Sequence, residues 1–236
     1  MTVLLAKRAV ARLGGLAVTD EAPDFLAPEA ELALAWSHQK VRSALRIALQ
    51  LDRRLARIVS RTSEPVLGQM RLAWWREALG KPPTERPLGD AVLDAIGEHW
   101  AGREAALIQM VDGWEVLVAP EPLGYEEAKV FAAERGAFFA ALAGREDGAA
   151  GERLAAAGSR WALADAATAV SDAGERAILI ATGLACANAG GAFPRGLRGL
   201  AVLEALALRA LRRGGRPLME GRGAPLAALR AAIFLS

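Results

Sequence analysis

From Pro28 to Leu79 the chain spells two amphipathic helices separated by a short break at Ser63-Glu64-Pro65, and each helix carries one charge inside its apolar stripe. Successive helical residues turn by about 100°, so apolar residues three and four apart share a face. In the first helix Arg42, Arg46, Arg53, Arg54, Arg57 and Arg61 fall within roughly 80° of Gln50. Val41, Leu45, Ala48, Leu49, Leu55, Ile58 and Val59 take the opposite side, and Asp52 lies among them, about 160° from Gln50. The second helix repeats this with the opposite sign. Leu67, Trp74, Trp75 and Ala78 form one stripe with Arg71 at its centre, while Gln69 and Arg76 take the far side. A core rarely receives a charge without a partner. Asp52 and Arg71 are therefore expected to pair, with a hydrogen bond within about 3.2 Å.

The remaining segments have helical period, and none shows the sustained alternation of a strand. Helices are predicted over about 88–100, opened by Pro87, and over 103–118, 125–142, 152–170, 174–188, 199–213 and 225–235. Asp172 is placed as a cap. Residues 20–28 read as a proline-bearing linker, and 80–86 as a loop around Pro82-Pro83. The sum is a single all-α domain over 1–236, with 1–27 an N-terminal segment and linker, built as a bundle of about eight or nine helices around a central cavity.

Two more helices place acids inward. On 125–142, Phe131, Phe138 and Leu142 define the stripe, and Glu134 falls about 40° from Phe138. On 152–170, Leu154, Gly158 and Trp161 share a face with Asp165, while Arg160 points away. Asp52, Arg71, Glu134 and Asp165, with Trp74, Trp75, Phe131, Phe138 and Trp161, are thus the candidate lining of a polar cavity, the usual ligand position in a bundle. The bland alternative is structural ion pairing and plain aromatic core.

Composition excludes several classes. A 53% hydrophobic content argues for a substantial core rather than disorder. No apolar run approaches the ~20 residues that span a bilayer. Net charge is only +2, which does not suggest a nucleic-acid partner. Four lysines leave arginine to supply most of the positive charge, a bias attributed to base composition. One cysteine and two histidines cannot build a disulfide framework or a thiolate or histidine metal centre. The cytoplasm is the default location. The basic first residues, with Lys7, Arg8 and Arg12, read either as a short amphipathic helix on an anionic membrane or partner, or as a terminal helix packed on the bundle.

The chain resembles the squalene/phytoene synthase family. The likeness is carried by ALRIALQLDRRLARIVSRTSEPVLGQMRLAWWREAL, especially Ser63-Glu64-Pro65, Gly68 and Arg71-Leu72-Ala73-Trp74-Trp75-Arg76. Arg86-Pro87, FAAERGAFFAALA around Gly136, AGSRWALADAA around Gly158, Phe193-Pro194-Arg195 and Leu211-Arg212-Arg213 extend it from residue 28 onward. The resemblance implies an isoprenoid-synthase-like bundle enclosing a large apolar cavity. It further implies head-to-head joining of two prenyl diphosphates with Mg²⁺ held by two aspartate-rich motifs. Acids at i and i+4 share a helix face, and two such pairs facing each other can hold the metals that draw off diphosphate.

This sequence departs from that pattern at both motifs. Asp52 has Ala48 and Ala56 at the paired spacing, and Asp165 has Trp161 and Ala169. Lone acids are better matched to guanidinium than to a cluster of Mg²⁺, which demands near-octahedral oxygen ligation. Within the family, the branch related to a mitochondrial complex I assembly factor is similar in this respect. The expectation is a catalytically degenerate protein with no cofactor, acting as an assembly factor or binding a prenyl lipid. Its partner would be a respiratory membrane-complex subunit or an isoprenoid lipid, with peripheral contact on the inner face of the membrane. The alternative is an active prenyltransferase of isoprenoid biosynthesis, with Mg²⁺ on Asp52, Glu134 and Asp165.

Overall fold

Helix starts and stops follow local chemistry. In the computed structural model, which describes residues 25–62, 64–119, 121–144, 148–186 and 192–234, α1 (Pro28–Ala35) and α3 (Pro65–Gly80) both begin with proline in the first turn. Between them, α2 (Gln39–Arg61) opens at His38, whose Nδ1 accepts from the Lys40 amide. It closes at Thr62, which donates its hydroxyl to the Ile58 carbonyl at 2.6 Å. The basic N-terminal segment, Ser63 and Leu235 lie outside the described residues.

α4 (Ala91–His99) begins three residues later than the prediction from Pro87. Asp90 decides the start, because its Oδ1 accepts from the Val92 and Leu93 amides at 3.0 Å each. Gly89 precedes it at φ +95°, which holds Pro87 and Leu88 outside the helix. α5 (Glu104–Val116) follows. The predicted helix over 125–142 is two, α6 (Tyr125–Gly136) and α7 (Phe138–Leu142), divided at Ala137. α8 (Gly148–Ala169), α9 (Ala173–Ala185), α10 (Arg198–Arg212) and α11 (Gly223–Phe234) complete the chain. Asp172 caps α9 as expected, accepting from the Glu175 amide at 2.9 Å. The described residues are all helix, turn and loop, with no strand among them.

α8 is the central element, packed against α6, α7, α9 and α10. α5 bridges from α6 to α3 and α2, and α10 carries α1 and α11 on its other sides. One hydrophobic cluster joins buried residues from Leu26 to Ala232. Three glycines let α5, α6 and α8 approach closely. A Cβ on Gly136 would lie 2.4 Å from the carbonyl carbon of Gly158, and one on Gly113 would lie 2.7 Å from the Arg135 amide nitrogen. At Gly136 and Gly158 the backbones meet because neither residue carries a side chain, and at Gly113 because one of the two does not. α5, α6 and α8 are thereby drawn together around residue 135.

Burial corrects two expected faces. On α3 the buried row is Gly68, Leu72, Trp75, Ala78 and Leu79, whereas Leu67 and Trp74 are 46% and 42% exposed and Arg71 is exposed. Trp75 and Ala78 are buried as expected, but the centre of the row is turned by roughly 60° from the predicted one, toward Leu72. Gly68 is the cause, since it seats the helix against Val118 and Thr62. On α8, Arg160 does not point away but is buried, because the helix is covered on several sides.

A buried arginine between two aspartates

The expected Asp52–Arg71 pair does not form. Asp52 is 3% exposed on α2, and its partner is Arg135 of α6. Arg135 Nε donates to Asp52 Oδ1 and Nη2 to Asp52 Oδ2, both at 2.8 Å, a two-pronged fit of guanidinium to carboxylate. Nη2 also donates to Asp165 Oδ2 at 2.6 Å, and Nη1 to the Ala162 carbonyl at 3.1 Å. The Trp114 indole Nε1–H completes Asp52 from α5, donating to Oδ1 at 2.8 Å. The guanidinium carbon lies 4.4 Å from the Trp114 ring centre and 4.6 Å from that of Trp161, within cation–π range.

Burial by itself disfavours the Arg135 charge. The two carboxylates outweigh it and hold the guanidinium above its ordinary pKa. One cation thus joins acids from α2 and α8 to the α6 backbone, with α5 supplying an indole. Charged groups at this depth persist because every one is matched.

The candidate residues separate into two groups. Asp52, Asp165, Phe131, Phe138 and Trp161 come together. Phe131 lies 5.6 Å from the guanidinium, and Phe138 packs edge-on to Trp161 at 5.6 Å. Arg71, Trp74, Trp75 and Glu134 lie elsewhere. Trp74 and Trp75 stack edge-on at 5.2 Å beside a shallow surface groove of about 420 Å³, lined also by Arg54, Arg57, Arg61, Arg71 and Asp90. Glu134 is half-buried, and its carboxyl is raised above the usual range by burial and then by nearby Asp112.

The division of the 125–142 segment explains why the helical pattern points to Glu134 while the structure buries Arg135. A continuous helix counts Phe138 in its stripe and swings the centre toward Glu134. When the helix ends at Gly136, its buried row is Ala128, Phe131, Ala132 and Arg135. Arg135 is then about 10° from the centre and Glu134 about 110° away. Trp114 had no sequence signal beyond its helical spacing.

The space beside the pair measures about 60 Å³ and is bordered by Leu26, Glu29, Leu49, Arg53, Trp161 and Asp165. That holds a few waters, against the roughly 300 Å³ or more of ordinary ligand pockets. Glu29, half-buried at its edge, is raised in pKa first by burial and further by Asp165, with Arg53 opposing. Mg²⁺ on Asp52 and Asp165 would have to displace Arg135 and Trp114, leaving a buried guanidinium unmatched. The donor set fits guanidinium better than a metal cage. Among the described residues no group of three or more His, Cys, Asp and Glu is arranged to hold an ion.

A second buried ion cluster, absent from the sequence expectations, lies across α8 and α10. Glu204 accepts from Arg153 Nη1 at 2.8 Å and also from Arg160, and Arg160 Nη2 donates to the Cys186 carbonyl at 2.9 Å. Comparison with family models, curated proteins and solved structures finds no match for this chain.

Proposed function

We propose that this protein is a catalytically degenerate relative of the squalene/phytoene synthases that works by binding, as an assembly factor-like protein, rather than by joining prenyl chains. One observation carries the reading: Arg135 takes both Asp52 and Asp165, the two acids that by resemblance would stand at the positions of the family's metal-binding motifs. The space beside them, about 60 Å³, is smaller than an ordinary ligand pocket, which supports a surface partner over a prenyl lipid held at these acids.

The exposed face of α3 supports a protein partner. Val66, Leu67, Met70 and Trp74 are each more than 40% exposed and lie within about 100° of one another, with Arg71 beside them. An apolar row flanked by arginine suits a partner with acidic and apolar groups, and by resemblance this partner is a respiratory membrane-complex subunit. No helix among the described residues is long and apolar enough to cross a membrane, which is consistent with peripheral attachment.

The test is incubation of the purified chain with farnesyl or geranylgeranyl diphosphate, Mg²⁺ and NADPH, followed by extraction of hydrocarbon products. The expected result is no C30 or C40 product. Turnover above a heat-treated control would overturn the proposal.

A further inference from the structure

The end of α10 and the last helix form a strongly basic stretch. From Ala205 to Phe234 there are six arginines (Arg209, Arg212, Arg213, Arg216, Arg222, Arg230) and one acid, Glu220. The whole protein, by contrast, is nearly balanced at +2. Four of these arginines line an open groove of about 610 Å³ between α10 and α11, whose floor is the Arg153–Glu204–Arg160 cluster. Glu204 is already matched by two guanidinium groups there, so it neutralises none of the positive rim. Arg209 Nη1 is buried on the groove wall with no hydrogen-bond partner, although such an N–H is costly to leave unmatched.

α11 continues this groove with apolar surface. Its outward row, Leu226, Leu229, Ile233 and Phe234, is 69%, 46%, 52% and 74% exposed. At about 100° per residue these four lie within some 140° of one another, and Arg230 sits among them. The helix contains no acid. Exposed Leu, Ile and Phe next to arginine form the pattern of a helix lying in the headgroup region of a bilayer, with the arginine reaching up to phosphate. Unlike α3, this surface gathers four arginines into one groove with the apolar row running alongside it, so its partner presents several anionic groups beside a continuous apolar layer. A bilayer supplies both at the same depth.

We infer that the α10–α11 groove receives the phosphate headgroups of anionic phospholipids, with Leu226, Leu229, Ile233 and Phe234 entering the adjoining acyl boundary. This gives a surface to the peripheral-membrane part of the proposed function. Its test is separate, since vesicle binding is read without prenyl substrate and product formation without vesicles.

The experiment is co-sedimentation of the full chain with vesicles of phosphatidylglycerol mixed into phosphatidylcholine, against phosphatidylcholine alone and at rising salt. The structure predicts binding to the anionic vesicles that weakens with salt. R209Q/R213Q/R230Q should lower that affinity about 100-fold, taking each arginine as worth about fivefold near an anionic surface. I233N/F234S should lower it about tenfold or more, leaving the arginines in place. The basic residues Lys7, Arg8 and Arg12 remain in every variant, so a loss reports the groove. Both sets change exposed or half-exposed side chains, and circular dichroism checks that the helices persist. The inference is overturned if wild type binds both vesicle types equally or neither, or if neither variant weakens binding. It is also overturned if inorganic phosphate saturates the groove while vesicles do not compete, or if an acidic polypeptide is retained and vesicles are not.

Discussion

Replacing Arg135 by methionine removes the cation while keeping most of the side-chain volume. Three of the four hydrogen bonds that Arg135 donates end on carboxylates, two on Asp52 and one on Asp165. Asp165 has a side chain 35% exposed and can be rehydrated, but Asp52 at 5% cannot, and it keeps only the Trp114 indole. Breaking a buried pair in this way costs about 3–5 kcal/mol. For a chain of this length that is about 6–20 °C in Tm. Adding Asp52→Asn to Arg135→Met makes the remaining side chain neutral and preserves an acceptor for Trp114. About 2 kcal/mol of the loss should return as coupling between the two positions.

The assay is urea denaturation followed by circular dichroism for wild type, both single variants and the double variant. If Arg135→Met costs under about 1 kcal/mol, or Asp52→Asn restores nothing, the pair is not what holds α2, α6 and α8 together.

Other expectations follow from the same geometry. Gly136→Ala places a Cβ 2.4 Å from the Gly158 backbone, and since neither helix can yield locally it should destabilise by about 3 kcal/mol in the same denaturation assay. Asp90→Ala removes the cap of α4 and the contact with Arg54, for a loss of about 1–2 kcal/mol, with reduced helical signal as the accompanying readout. Glu29, whose carboxyl is held above the usual 4.5, lets the folded state bind a proton more tightly than the unfolded chain. Its contribution is therefore fully present below about 4.5 and is lost as pH rises through the raised value, so Glu29→Gln should flatten the stability profile in that window.

The helices and their order were readable because apolar spacing at three and four residues is a local property, and Pro65 and Asp172 mark their own starts. That Asp52 and Asp165 face inward was readable for the same reason. The identity of their partner was not. Arg135 becomes central only if α6 stops at Gly136, and that stop reflects the crossing of Gly136 over Gly158, a contact between segments over twenty residues apart. The orientation of α3 is hidden from the sequence for a related reason. Leu67, Arg71 and Trp74 look like a core row until Gly68 is seen to be the contact point. The burial of Arg160, expected to point away, and of Glu204 is not legible in either helix alone, because a helix covered on several sides can bury a charge off its apolar stripe when another element brings the opposite charge.

The central claim is that Asp52 is held by Arg135 and Trp114 instead of a divalent ion. The Trp114 indole N–H, hydrogen-bonded to Asp52 Oδ1, is a direct reporter, assigned by comparison with Trp114→Phe. Titration with Mn²⁺ in a ¹H–¹⁵N spectrum should leave that resonance as sharp as the other tryptophan indoles. Selective broadening of the Trp114 signal, suppressed by competing Mg²⁺, would put the metal on Asp52 and contradict the account.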